Sequence, residues 1–190
     1  GQDLLNFING DEDMPGRAII LTTDSGNTSQ KSIPRMINVL KETNMHFHSF
    51  IWTKEMNEGE SARCIDDNCW NTFRNAVSSG VFTIGSHTET HRDFGLVDTG
   101  EGLEELFLSK KEIEENLGIK INSISWPFEV CPYWAEDLHD MGYRYGFGGR
   151  SKPLYYCSVE KSDPNPWCLP RILPPNINGE SGRPSGETLE

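Results

Sequence analysis

Short apolar runs alternate along this chain with longer stretches in which apolar residues return every third or fourth position. Ala18-Ile19-Ile20-Leu21 is one such run, and it passes into Thr22-Thr23-Asp24-Ser25-Gly26-Asn27, a carboxylate followed by turn residues, so it predicts a strand ending near Asp24. Ile33, Met36, Ile37 and Leu40 then recur at i, i+3, i+4 and i+7 behind Ser32, with Pro34 tolerated in a first turn, which predicts an amphipathic helix. Phe47, Phe50, Ile51 and Trp52 predict a second strand, with His46 and His48 on one face by the period of two. Trp70, Phe73 and Val77 mark a helix that Gly80 stops, and Val81-Phe82-Thr83-Ile84 is a third strand. Leu103, Leu106, Phe107, Ile113 and Leu117 form an apolar stripe on a helix over residues 101–117, its glutamates a solvated face, with Gly118 at its end. Ile124-Ser125-Trp126 predicts a fourth strand broken by Pro127, Trp134, Leu138 and Met141 outline another helix, and residues 143–147 a fifth strand. Beyond Gly148, prolines at 153, 164, 166, 170, 174 and 175 leave room only for a strand over residues 169–173. Strand alternating with helix implies a parallel sheet.

In such a sheet the chemistry gathers where strands end. The third strand runs into Gly85-Ser86-His87-Thr88-Glu89-Thr90-His91. Two imidazoles four apart can face one metal ion if the segment turns helical after the strand, and neutral imidazole suits zinc. By itself the spacing more often describes a solvated surface. The first strand adds the Asp24 carboxylate, for which a turn in which the aspartate bonds its own backbone is the plain alternative. The fourth strand adds Trp126-Pro127-Phe128-Glu129, where core packing competes with a binding role.

These three stretches, in this order, resemble the polysaccharide deacetylases, the NodB-homology group of carbohydrate esterases, and closest in pattern the subgroup that acts on exopolysaccharides. The family's T-F-D-D-G segment stands here as Thr22-Thr23-Asp24-Ser25-Gly26, so the resemblance implies Asp24 as catalytic base and puts Ser25 at the third metal-ligand position. Its H-T-x-T-H segment is matched in full, implying His87 and His91 as ligands of a divalent metal, most simply zinc. Its Y-P-Y-G segment is similar to Trp126-Pro127-Phe128-Glu129, implying Trp126, Pro127 and Phe128 at the substrate, with the Phe128 N–H on the oxyanion. Leu169-Pro170-Arg171 is similar to a late segment of the subgroup; Arg171 stands in for the arginine missing at Ser125, at the substrate and orienting Asp24. The family's general-acid histidine has no counterpart. The implied fold is an α/β, distorted, incomplete (β/α) barrel over residues 17–178, with residues 1–16 a polar lead-in from which Leu4, Leu5, Phe7 and Ile8 can pack on the domain, and residues 179–190 a flexible tail. The implied activity is removal of N-acetyl groups from an N-acetylhexosamine-containing polysaccharide such as peptidoglycan, chitin or an exopolysaccharide. The alternative is a glycan-binding domain on the same fold whose chemistry is impaired.

Composition narrows the partners. A chain of 190 residues with net charge −12 repels nucleic acid and other polyanions but not neutral or cationic glycans. No apolar stretch approaches the roughly 18 residues of a membrane span. Five cysteines suffice for two bridges; Cys64 with Cys69 and Cys157 with Cys168 are the sequence-local pairs, leaving Cys131 over, and such pairs suit an extracellular or cell-envelope setting. Cys64 and Cys69 with His87 and His91 have the ligand order of a structural zinc finger, but a helix and a buried strand intervene where a finger has a short linker. No G-x-S-x-G elbow and no phosphate-binding glycine loop is present.

Overall fold

The computed structural model describes residues 4, 6–7, 9, 11–12, 19–25, 32–54, 67–148 and 165–171. Its elements follow the alternation read from the pattern: β1 (Leu21–Ser25), α1 (Ile33–Thr43), β2 (Phe47–Ile51), α2 (Asp67–Ser78), β3 (Phe82–Ser86), α3 (Thr99–Leu117), β4 (Ser123–Ser125) and β5 (Tyr145–Phe147). The strands lie in sequence order, β1-β2-β3-β4-β5, and every neighbouring pair is parallel. This is the curled half of a (β/α) barrel, incomplete and distorted.

Local chemistry explains the boundaries. Asp98 accepts the Glu101 N–H at 3.0 Å and caps α3, while Gly118 ends it in the left-handed region at φ 67. Alternation along the strands sorts side chains between two apolar layers. Ile51, Phe82, Ile84 and Ile124 face the helices and meet Ile33, Leu40, Trp70, Phe73, Leu106 and Ile113. Phe50, Tyr145, Phe147 and Leu169 fill the concave side, where Leu4 of the lead-in packs against them.

Several expectations need correction. Residues 135–139 form a 3₁₀ turn, not a helix through Met141, because successive bonds run from i+3 to i: Asp137 N–H to the Trp134 carbonyl, Met141 N–H to that of Leu138. The strand expected over 169–173 contracts to one parallel bridge between Leu169 and Phe147, since Pro170 has no N–H to continue a ladder; residues 172 and 173 lie outside the described part. Phe107 is exposed, whereas Glu105 is buried on the helix stripe. His46 lies exposed ahead of β2. His48 is a core residue, stacked on Phe50 at 4.4 Å and bonded through Nε2 to Ser123 Oγ at 2.9 Å; burial drives its pKa down to about 3, so it is neutral. Cys168 pairs with Cys131, not Cys157, at a Cα separation of 5.8 Å. Cys69 is also disulfide-bonded, and Cys64 and Cys157 lie outside the described residues.

Candidate active site

The strand register lines up Ser25, Ile51, Ser86 and Ile124 across four neighbouring strands, so the residues beyond them share one rim. From β3 the chain does not turn helical. Thr88 adopts φ 70 and His91 φ 58, two left-handed residues that turn the chain out of the extended run of β3 while residues 87–89 stay bonded to residues 51–54. A β-branched residue at positive φ is strained, and three bonds hold this one, Thr88 N–H to Ser86 Oγ at 3.0 Å, His91 N–H to Thr88 Oγ1 at 3.0 Å and Thr53 N–H to the Thr88 carbonyl at 3.3 Å, with Lys54 N–H to the Glu89 carbonyl at 2.6 Å securing the next residue.

The loop brings the two imidazole centroids to 4.7 Å, edge to face. His87 Nδ1 lies 2.8 Å from the Ser125 carbonyl. A carbonyl only accepts, so Nδ1 carries a proton and Nε2 is the nitrogen turned toward the site. Facing it at 3.8 Å is Asp24 Oδ2. His91 is flanked by Trp52 at 4.7 Å and Phe128 at 4.8 Å; burial first, then the neighbouring His87, lowers its pKa to about 4 against the opposing pull of Asp24.

Arg171 reaches the same point from the far end of the chain. Its two terminal nitrogens donate to the Asp24 carboxylate at 2.8 and 2.7 Å, the bidentate fork that fixes both position and plane. Burial works to raise the Asp24 pKa, but His87, Arg171 and the Ser125 hydroxyl together outweigh it and hold it near 2, so the carboxylate is ionised at any ordinary pH.

The third strand end behaves differently from expectation. Trp126 is wholly buried: its ring packs on Phe94 and Trp134 and its Nε1–H donates to the Trp167 carbonyl at 2.6 Å, so it cannot flank a sugar. The reason is the period of two, which sends Trp126 to the helix side with Ile124 and leaves Ser125 for the site. Pro127 is buried as well. Phe128, at φ 54 and 61% exposed, is the one of the three open to a ligand.

Three contributors were not read from the sequence. Trp52 continues the β2 apolar run and looked like core, and the Ser125 carbonyl is invisible to side-chain reasoning. Glu105 sat among glutamates taken as solvated, although it stands one residue before Leu106, within the buried stripe.

For a metal, the donor set fits in part. Two neutral imidazoles suit a zinc-type ion, with the Ser125 carbonyl supplying the outer bond that orients such a ligand. A third carboxylate or thiolate is lacking: among the described residues no three His, Cys, Asp or Glu side chains converge, Asp24 is taken up by Arg171, and position 25 is a serine.

The sequence matches the family model of polysaccharide deacetylases over residues 11–146. No curated protein matches it. Among solved structures it is similar to the Streptococcus pyogenes deacetylase PplD in complex with acetate, at TM-score 0.69 and 14% identity, covering 90% of this chain and 70% of that one. It is similar also to IcaB from Ammonifex degensii, at TM-score 0.69 and 22% identity over 92% of this chain and 75% of that one. The BpsB deacetylase domain from Bordetella bronchiseptica aligns at TM-score 0.66 and 17% identity, over 90% and 76%. At such identities the structural likeness speaks for the fold. The chain belongs to the polysaccharide deacetylase family of NodB homology, hydrolases that act on amides.

Proposed function

We propose that this chain removes N-acetyl groups from an N-acetylhexosamine polymer, of the peptidoglycan, chitin or exopolysaccharide kind, outside the cell or in its envelope. The observation that carries the reading is the Asp24–His87 pair: an ionised carboxylate 3.8 Å from His87 Nε2, the two fixed from behind by Arg171 and by the Ser125 carbonyl respectively. A carboxylate so placed is a general base for the attacking water, a role worth roughly 100- to 10,000-fold in rate. His87 and His91 would hold a divalent ion, zinc by ligand chemistry, which when bound supplies the charge that polarises an acetamide carbonyl and acidifies water. Phe128 offers its exposed ring to the apolar face of a sugar and its backbone N–H to the developing oxyanion. The net charge of −12 suits a neutral polymer or its cationic deacetylated product. No helix among the described residues is long and apolar enough to cross a membrane.

A second reading, a glycan-binding domain with impaired chemistry, draws on one observation, the serine where the third metal ligand belongs. Metal analysis of the purified protein together with acetate release from N-acetylglucosamine oligomers separates the two. The expected result is zinc uptake and acetate release, both lost when His87 and His91 are replaced by alanine. Oligomer binding without acetate at any zinc concentration would establish the binding domain instead.

A further inference from the structure

We infer that Glu105 and Ser109, on the inward face of α3, are positioning residues that set the spacing of the two site histidines. The inference rests on the deacetylase reading for its kinetic consequence but not for its structural one. Glu105 is 7% exposed and lies among Gly102, Leu106, Ser109 and Ile113, the buried stripe of the helix. A carboxylate in that position is unfavourable unless its oxygens are bonded, and an apolar side chain would satisfy packing there without them. Both oxygens are taken by one residue: the Thr90 N–H donates to Oε2 at 2.8 Å, and the Thr90 hydroxyl donates to Oε1. One helical turn further on, Ser109 Oγ bonds Ser86 Oγ at 2.8 Å, with both residues fully buried. Ser86 in turn accepts the Thr88 N–H.

The two bonded residues are those directly before the histidines: Ser86 precedes His87 and Thr90 precedes His91. Glu105 and Ser109 lie four apart on a helix, hence on one face and about 6 Å apart along its axis. The helix therefore acts as a ruler against which both ends of the loop are pinned. Without the second pin, the contact that remains on the helix side is the exposed Arg92–Glu101 pair at 3.4 Å, too solvated to oppose relaxation of His91 from φ 58 toward the ordinary helical or extended regions, which swings its ring away from His87. Glu105 touches no reacting atom; it acts through Thr90.

Glu105→Ala removes the pin, whereas Glu105→Gln keeps it, because the amide oxygen accepts the Thr90 N–H and the amide nitrogen donates to the Thr90 hydroxyl in its acceptor role. The variants are compared with the parent chain and Ser109→Ala at one pH, by ring-to-ring nuclear Overhauser contacts between His87 and His91, by thermal unfolding, and by kcat and KM on N-acetylglucosamine oligomers. The expectation for Glu105→Ala, held well below its unfolding midpoint, is loss of the inter-ring contact and a fall in kcat of about 100-fold with KM nearly unchanged, the signature of misplaced groups. Glu105→Gln keeps the contact and kcat within about threefold, and Ser109→Ala shifts the His87 signals more than those of His91. If Glu105→Ala does not fold, Thr90→Val deletes the hydroxyl bond at the loop without touching the core, and it weakens the same contact. An undisturbed inter-ring contact in Glu105→Ala or, where that variant does not fold, in Thr90→Val overturns the inference, even where activity is found. Absence of acetate release from the parent chain overturns the deacetylase reading and leaves the ring contacts to decide this one.

Discussion

The two halves of the site are built in opposite ways. The histidine half sits on β3, inside the sheet, and its loop is fastened to β2 by the Thr53 and Lys54 amides, to α3 by Glu105 and Ser109, and to β4 by the Ser125 carbonyl. The aspartate half sits on β1, at the end of the strand order, bonded to β2 alone among the described strands. Its functional group is held in place by a single arginine from a segment that makes one β-bridge. A loop fastened on three sides keeps its geometry when the aspartate half changes. A carboxylate held from one side depends on that partner, so the site is to be broken more easily through Arg171 than through most of its histidine scaffold.

The largest effect that follows from this asymmetry belongs to Arg171→Ala. Burial alone raises the Asp24 pKa; with the guanidinium gone that influence is opposed chiefly by His87 and Ser125, so the pKa rises from about 2. A base works only when ionised, so activity falls as pH drops through its pKa. The parent chain has no Asp24-governed fall in its workable range, and the variant gains an acid limb that moves into it. At neutral pH the lost orientation lowers kcat/KM by about 100-fold, about 2.7 kcal/mol in transition-state terms. The same depressed pKa contributes stability that is complete above the ordinary carboxylate value of about 4 and is lost as pH falls toward 2. Unfolding midpoints across that window should fall more steeply for the parent than for Arg171→Ala. An unmoved acid limb would mean that Asp24 is not the base.

An intermediate effect is expected from the Cys131–Cys168 disulfide. Cys131 stands three residues after Phe128 and Cys168 three before Arg171, so the bridge joins the aromatic side of the site to the arginine side. It closes a sequence separation of 37 residues, for which removal typically costs 2–4 kcal/mol. Three backbone bonds still hold the arginine segment when it is cut, Gly146 N–H to the Pro166 carbonyl at 2.8 Å, Leu169 N–H to the Gly146 carbonyl at 2.8 Å and Gly148 N–H to the Leu169 carbonyl at 2.9 Å. The double serine variant, which leaves no odd thiol at this bridge, should therefore lose about tenfold in kcat/KM rather than the full Arg171→Ala effect, together with a lower unfolding midpoint. Equal losses in the two variants would show that the bridge alone places the arginine.

How much of this was legible in the chain follows the same division. Strands and helices up to β4 were readable because each buries one face and the burial writes its period into the sequence; Ile33, Met36, Ile37 and Leu40 on α1 are the plainest case. Asp24, His87 and His91 were legible as residue types at strand ends. For Trp126 the motif resemblance implies a substrate contact, whereas its alternation with Ile124 assigns it to the core. Trp134, Leu138 and Met141 have helical spacing, but a short segment behind Pro132 closes in i+3 bonds, and spacing does not distinguish the two. Cysteine pairing obeys distance in space, so Cys131 with Cys168 was not to be had from neighbours in sequence. Glu105 was recoverable, being a lone acid at a buried helical position, which asks what it bonds.

The smallest expected effect sharpens the comparison from the weaker half. Ser25, whose backbone pairs with Ile51 at the end of β1, supplies a hydroxyl where the family places a carboxylate. A carboxylate brings a charged hard oxygen to a divalent cation, whereas a serine hydroxyl stays protonated at neutral pH and binds weakly. Ser25→Asp should tighten zinc binding by about fivefold, with a matching gain in acetate release at limiting zinc. The gain is kept small by two opposing terms. The new carboxylate lies next to Asp24, and the repulsion between them raises the pKa of one or both, weakening the base. Arg171 already spends both terminal nitrogens on Asp24, so the added charge competes for the same guanidinium and loosens the fork that orients the base. Calorimetric titration with zinc, paired with rates at saturating zinc, separates these. Tighter zinc with a slower saturated rate would show that the two carboxylates compete for Arg171. Zinc no tighter than in the parent chain would show that position 25 is not the missing ligand, and that the imidazole pair completes its coordination elsewhere or not at all.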